Sequence, residues 1–221
     1  MPVDSAATAA TQARYQRIAP FYDRMEGLAE RRYRPWRRWL WSLARGPQVL
    51  EIGVGTGKNL SFHPPGVSVT AIDLTPGMLE RARRRATQLG ADVTLQIGDA
   101  QQLDFPDNTF DEVMATFVFC SVPNPVLGLQ EARRVLKPGG RLLLLEHMRA
   151  ANPVLGTLMD ALNPVVVRVM GANINRCTVA NVQRSGLHMQ QVEDVGMGGI
   201  FKLIVAQKRD SSPCMEVRHR G

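Results

Sequence analysis

The sequence predicts an open α/β sheet of five parallel strands and a terminal antiparallel hairpin, with helices on both faces and a helical N-terminal extension. Three observations carry this. Seven apolar, β-rich runs recur along the chain, and helical or loop segments separate the first five. The last two are joined only by Gly196-Met197-Gly198-Gly199, too short for a helical crossover, so they must pair as a hairpin. Finally, 221 residues with 44% hydrophobic content can bury a full core as one unit.

The runs fall at 48–52, 67–73, 93–97, 112–118, 141–147, 187–195 and 201–207, the fourth opened by Phe110-Asp111. A helix is expected over 76–89, with Pro76 at its start, and another over 124–136, ended by Lys137-Pro138-Gly139-Gly140. Residues 150–176 are rich in Leu, Val and Met but interrupted by Pro153, Gly156, Pro164 and Gly171. That composition predicts a pliable hydrophobic wall instead of a core helix. The organisation is an extension over 1–46, a core over 47–208 and a disordered tail over 209–221; residues 1–10 also read as disordered.

Charge is uneven. The formal net charge is +7, and before residue 48 Arg14, Arg17, Arg24, Arg31, Arg32, Arg34, Arg37, Arg38 and Arg45 face only Asp4, Asp23, Glu26 and Glu30. Trp36, Trp39 and Trp41 lie in the same stretch. Arginine beside tryptophan over 31–41 suits the headgroups of an anionic membrane; the alternative is a capping helix whose tryptophans pack on the sheet. Nucleic acid is disfavoured as a partner, because no recognised binding module accompanies the basic balance and aromatic content is 6%. No apolar run approaches the ~18 residues of a membrane span, and the first residues lack a basic start followed by an apolar block, so no secretory signal is expected. Cys120, Cys177 and Cys214 are odd in number and widely spaced, against a disulfide framework or a zinc cluster. A cytoplasmic protein is expected, peripheral on a membrane if the basic segment binds one. The oligomeric state is open.

The chemistry concentrates after the first strand, where Val49-Leu50-Glu51-Ile52 runs into Gly53-Val54-Gly55-Thr56-Gly57. Glycine on alternate positions lets the backbone turn sharply and lie against a ligand. Asp73 ends the next strand about 20 residues on, where a carboxylate meets ribose hydroxyls in dinucleotide folds. A pyrophosphate loop would read G-x-G-x-x-G; here the third glycine comes one residue early and Glu51 precedes the first, which suits a cation better than a pyrophosphate.

A ligand that joins a ribose to a positive centre is S-adenosyl-L-methionine. The E-x-G-x-G-x-G run resembles the first motif of the class I S-adenosylmethionine-dependent methyltransferases, which implies a Rossmann-like seven-stranded methyltransferase sheet with Glu51, Gly53, Gly55, Gly57 and Asp73 at the cofactor. The resemblance extends to Leu74 and Met78 after the ribose acid, and to Gly98-Asp99-Ala100, where family members bind adenine. It also covers Thr116-Phe117-Val118, which would face cofactor and acceptor. Tyr15-Gln16-Arg17-Ile18-Ala19-Pro20-Phe21-Tyr22-Asp23 resembles the segment of ubiquinone and menaquinone methyltransferases and of phospholipid N-methyltransferases that folds over the cofactor, with Tyr15 and Tyr22 on one helix face. Phe119-Cys120-Ser121-Val122, Glu146-His147, Asn163-Pro164 and Gly171-Ala172-Asn173-Ile174-Asn175-Arg176 are similar to the methyltransferase-like thiol S-methyltransferases, and His63-Pro64-Pro65-Gly66 replaces a long first helix as in the thiol and phospholipid groups.

What these resemblances imply is methyl transfer to a small apolar or amphipathic acceptor: a phospholipid amine or thiol, or else a quinone precursor. An activated sulfonium needs alignment and dryness more than acid-base machinery. His147, with an ordinary pKa near ~6.5, is the candidate base, and Tyr22 is a second catalytic candidate. Cys120 reads as a small buried residue. A nicotinamide-dependent oxidoreductase would share the ribose acid, and a non-catalytic cofactor-binding protein would share the fold.

Overall fold

The structure, a computed structural model, describes residues 2–209. The central sheet runs β1 (Gln48–Ile52), β2 (Ser68–Asp73), β3 (Thr94–Ile97), β4 (Phe110–Thr116), β5 (Leu136–His147), β6 (His188–Gly196) and β7 (Phe201–Gln207). Its spatial order is β3-β2-β1-β4-β5-β7-β6. The first five strands are parallel, while β7 pairs antiparallel with both β5 and β6. The expected terminal hairpin thus forms, and its second strand, not its first, closes onto the parallel set. Chain order reverses between β1 and β4, which opens a crevice beyond their carboxyl ends.

Helices α1 (Ser5–Ile18), α2 (Tyr22–Ser42), α3 (Pro76–Leu89), α4 (Pro125–Val135), α5 (Pro153–Met170) and α6 (Thr178–Arg184) complete the chain. Parallel strands buried on both faces alternate their side chains between two layers. Leu50, Ile52, Val113, Leu142 and Leu144 meet Leu129 and Ala132 of α4 and Val182 of α6 on one face. Val49, Met114, Leu143 and Leu145 meet Leu40 and Trp41 of α2 on the other. The second half of α2 therefore belongs to the core layer.

Several expected boundaries move. Residues 5–10 are helical, because the Asp4 carboxylate caps α1 by accepting the Ala7 amide at 3.0 Å. Met1 and residues 210–221, with the rest of the expected tail and Cys214, lie outside the described residues. Strand β4 stops at Thr116, since Phe117 takes a left-handed φ of 58°. Strand β5 begins at Leu136 and takes Lys137-Pro138-Gly139-Gly140 into an irregular edge, where its register with β4 shifts between Phe110 and Glu112. As its sequence foretells, the stretch before β2 holds only one 3-10 turn, Leu60–Phe62, where a long helix would stand. Segment 150–176 is not broken by its prolines and glycines. Pro153 opens α5, Gly171 closes it at φ 86°, and Pro164 is accommodated within 18 continuous helical residues.

Candidate active site

An open cleft lies at the carboxyl ends of β1, β2 and β4. Gly53 and Gly55 form its floor, Asp73, Leu74 and Met78 one wall, Asp99 and Ala100 the next, and Thr116 to Val118 with Ser121 and Val122 the far side. Tyr15 and Tyr22 come down from the N-terminal helices to close it. They share no helix face: Tyr15 is on α1 and Tyr22 opens α2, and the turn between brings their ring centroids to 6.5 Å.

The loop after β1 is held by what it lacks. Gly53 has φ 70°, and a Cβ there would lie 2.5 Å from Val118 Cγ2. At Gly55 a Cβ would meet no protein atom within 4 Å, because the position faces open cleft. The Gly55 amide donates to Asp73 Oδ2 at 2.9 Å and the Thr75 amide to Asp73 Oδ1 at 2.8 Å. Burial raises the Asp73 carboxyl above its ordinary range, and those amides pull it partly back. Asp99 accepts the Gln101 amide at 2.9 Å, which braces the turn after β3.

Three predicted residues are not at the cleft. Glu51 is buried on the opposite side of its strand, with Asn59 donating to one oxygen at 2.7 Å and His63 Nε2 3.0 Å from the other. It reaches the site only through Asn59, whose amide also donates to Thr116 Oγ1 at 3.2 Å. Gly57 serves packing, since a Cβ there would sit 2.7 Å from Leu60 Cδ1 and 3.2 Å from Ala82 Cα. His147 is walled off, its Nε2 3.0 Å from the Asn173 carbonyl, and burial lowers its pKa so that it is neutral at pH 7. Alternation along β1 turns Glu51 away, and the return of the chain at Asn173 covers His147.

The extension is tied down by polar contacts that its sequence did not reveal. Gln12 donates to the Leu74 carbonyl at 2.8 Å, Gln16 accepts the Gly77 amide at 2.9 Å, and the Tyr15 and Ser121 hydroxyls meet at 2.5 Å. Asp23 accepts from Thr56 Oγ1 at 2.6 Å and pairs with Arg85 at 3.0 Å, and Lys58 reaches Glu26 at 2.7 Å. Burial raises both tyrosine phenols, so each stays protonated and can donate but not abstract. Cys120 is likewise a buried neutral thiol.

Glu146 is a further residue that the sequence reading did not assign. It is fully buried, one oxygen accepts the Val118 and Phe119 amides at 2.8 and 2.9 Å, and the other has no hydrogen-bond partner. It thereby supports the strained Phe117 turn that lines the cleft. Burial pushes its carboxyl up to about 7.

Residues 50–144 match the model of the methyltransferase domain family. A demethylmenaquinone methyltransferase of Deinococcus radiodurans is 34% identical over 173 residues, covering 75% of this chain and 72% of that protein. This chain belongs to the S-adenosylmethionine-dependent methyltransferases. A second relative, a phosphatidylethanolamine N-methyltransferase of Cereibacter sphaeroides, is 40% identical over 121 residues, 54% of this chain; the chain spans 60% of the length of that relative. The fold of an S-adenosylmethionine-dependent methyltransferase of Thermotoga maritima matches with a TM-score of 0.69 at 22% identity, covering 89% of this chain and 99% of that one. The cofactor that this methyltransferase fold serves fits the residues present: Asp73 offers a carboxylate for a ribose diol, and Gly53 and Gly55 leave room that side chains would fill.

Proposed function

We propose that the protein transfers the methyl group of S-adenosylmethionine to a small apolar or amphipathic acceptor, a phospholipid amine first. Asp73 holds the ribose and Asp99 the adenine amino group, flanked by Leu74, Met78 and Ala100. The Gly53–Gly55 turn lies under the methionine part, and Phe117 and Tyr15 border the methyl. The meeting of Gly55, Asp73 and the two lid phenols in one cleft carries this reading. The cofactor supplies an activated methyl on a sulfonium. The chain supplies alignment and exclusion of water, and the protonated Tyr22 orients an acceptor lone pair by donating to it. With the two carboxylates that line the cleft, Asp73 and Asp99, given to the cofactor, the acceptor must arrive with its lone pair available. An amine in its neutral form or an alkyl thiolate meets that demand. The Deinococcus relative favours a second reading, a quinone precursor.

Peripheral association with an anionic membrane from the cytoplasm belongs to the same proposal; no described helix is long and apolar enough to cross a membrane. The tryptophans predicted to serve it are largely engaged in packing. Trp41 is 1% exposed, and Trp36 is half-buried with its ring 5.2 Å from that of Phe201, which leaves Trp39 the most exposed of the three.

Calorimetry with S-adenosylhomocysteine and nicotinamide cofactors, then mass spectrometry of products from phosphatidylethanolamine, a demethylquinone and alkyl thiols, tests the proposal. The expected result is binding of the adenosyl ligand alone and methylation of one lipidic class. Binding of a nicotinamide cofactor instead restores the oxidoreductase reading, and failure to methylate any acceptor leaves a non-catalytic binding protein.

A further inference from the structure

Helix α5 is well made and poorly covered. Asn152 accepts the Val154 and Leu155 amides at 3.0 and 3.1 Å, so its start needs no other support. The inner side is fastened by buried Met159, by Asn163 accepting the Ile174 amide at 2.9 Å and by the Asp160–Arg149 pair at 2.8 Å. Its outer side carries Val154, Leu155, Leu158, Leu162, Val165 and Val169, all between 40 and 79% exposed. At about 100° per residue these fall within one stripe roughly 100° wide, the face that an amphipathic helix buries. Among the described residues α5 packs broadly against no other helix or strand.

The lid, which meets the end of α5, carries a second exposed apolar patch. Phe21, Met25 and Leu28 are exposed at 64, 49 and 82%, and Gly171 at the end of α5 lies against Arg14 and Tyr15 of α1. Charges around them are sorted by side. Asp23, Glu26 and Glu30 turn inward to Arg85, Lys58 and Arg37, whereas Arg17, Arg24 and Arg31 are exposed and, among the described residues, in no ion pair. Exposed aliphatic groups beside outward cations, with the acids of α2 turned inward, complement an anionic lipid surface. A second copy of a chain carrying +7 would bring the same unpaired arginines to the contact.

We propose that the outer face of α5 and the exposed start of α2 dock the protein on an anionic bilayer, with the cleft mouth between them at headgroup level. The purpose of this surface, though not its geometry, rests on the apolar acceptor proposed above. It assigns membrane contact to aliphatic residues of α5 in place of the 31–41 tryptophans.

The test is sedimentation of the full chain with vesicles of equal parts phosphatidylglycerol and phosphatidylcholine. Wild type pellets at low salt. The double variant L158D/V165D should lose about tenfold or more in vesicle affinity, with its melting temperature and S-adenosylhomocysteine affinity unchanged. R17E/R24E should weaken binding and flatten its salt dependence, and W39A should change it less than about twofold. Unchanged vesicle affinity in L158D/V165D overturns the proposal. So does a wild type that ignores vesicles but forms a dimer that this variant dissociates, which would give the face to a second copy. Failure of wild type to bind S-adenosylhomocysteine would overturn the proposed function and leave the docking result standing.

Discussion

Strands β2 and β5 both finish on titratable side chains, and the two ends have opposite fates. Asp73, last in β2, opens onto the cleft with its oxygens steadied by the Gly55 and Thr75 amides. Glu146 and His147, last in β5, are closed in: the first holds the Val118 and Phe119 amides, the second meets the Asn173 carbonyl. The difference lies above the sheet. Strands β2 and β5 flank the β1 and β4 reversal on either side, but the chain returning from α5 covers the end of β5 while the end of β2 stays open. What lies over a strand end, not residue type, decides whether its acid or base faces the cleft.

The largest effect should come from the floor between these ends. Gly53→Val puts a branched side chain at φ 70° where even a Cβ would overlap Val118, so S-adenosylhomocysteine binding should fall by more than about 100-fold in calorimetry. A loss of only a few-fold would mean that this turn is not the cofactor floor. Next, Asp73→Ala should weaken the same ligand by roughly 10- to 100-fold, about 1 to 3 kcal/mol for unpaired ribose hydroxyls. Unchanged affinity would remove the contrast with β5.

At the closed end the expected readout is pH, not affinity. The Glu146 carboxyl ordinarily titrates near ~4.3 in an unfolded chain, and the fold raises it to about 7. Between these values the native state binds the proton more tightly. Its stabilising contribution is therefore complete below the unfolded pKa and is lost as pH rises through 7. Glu146→Gln should abolish that slope in melting temperature while changing cofactor affinity by less than about threefold; a slope that persists in the variant would reassign it. The smallest effect is expected of His147→Gln, less than about threefold in kcat with no change in the pH–rate profile, because burial already keeps the ring neutral at pH 7. A large drop in kcat would reopen His147 as the base.

The sequence by itself determined the strand count, the parallel core, the terminal hairpin, the glycine turn and the acid at the end of β2. These are local matters: β-rich runs, loops too short to cross a sheet, and a backbone geometry that only glycine tolerates. Tertiary structure alone decided which residues of a motif face the cleft. Within one nine-residue run Gly53 and Gly55 line the cleft, while Glu51 turns to Asn59 and His63 and Gly57 to Leu60 and Ala82. It also decided that Trp36 and Trp41 pack inward and that α5 leaves its aliphatic stripe uncovered. Those outcomes depend on partners distant in the chain, Asp23 with Arg85 and Glu146 with Val118 among them, and spacing along a sequence carries no record of which side of an element a distant partner will occupy.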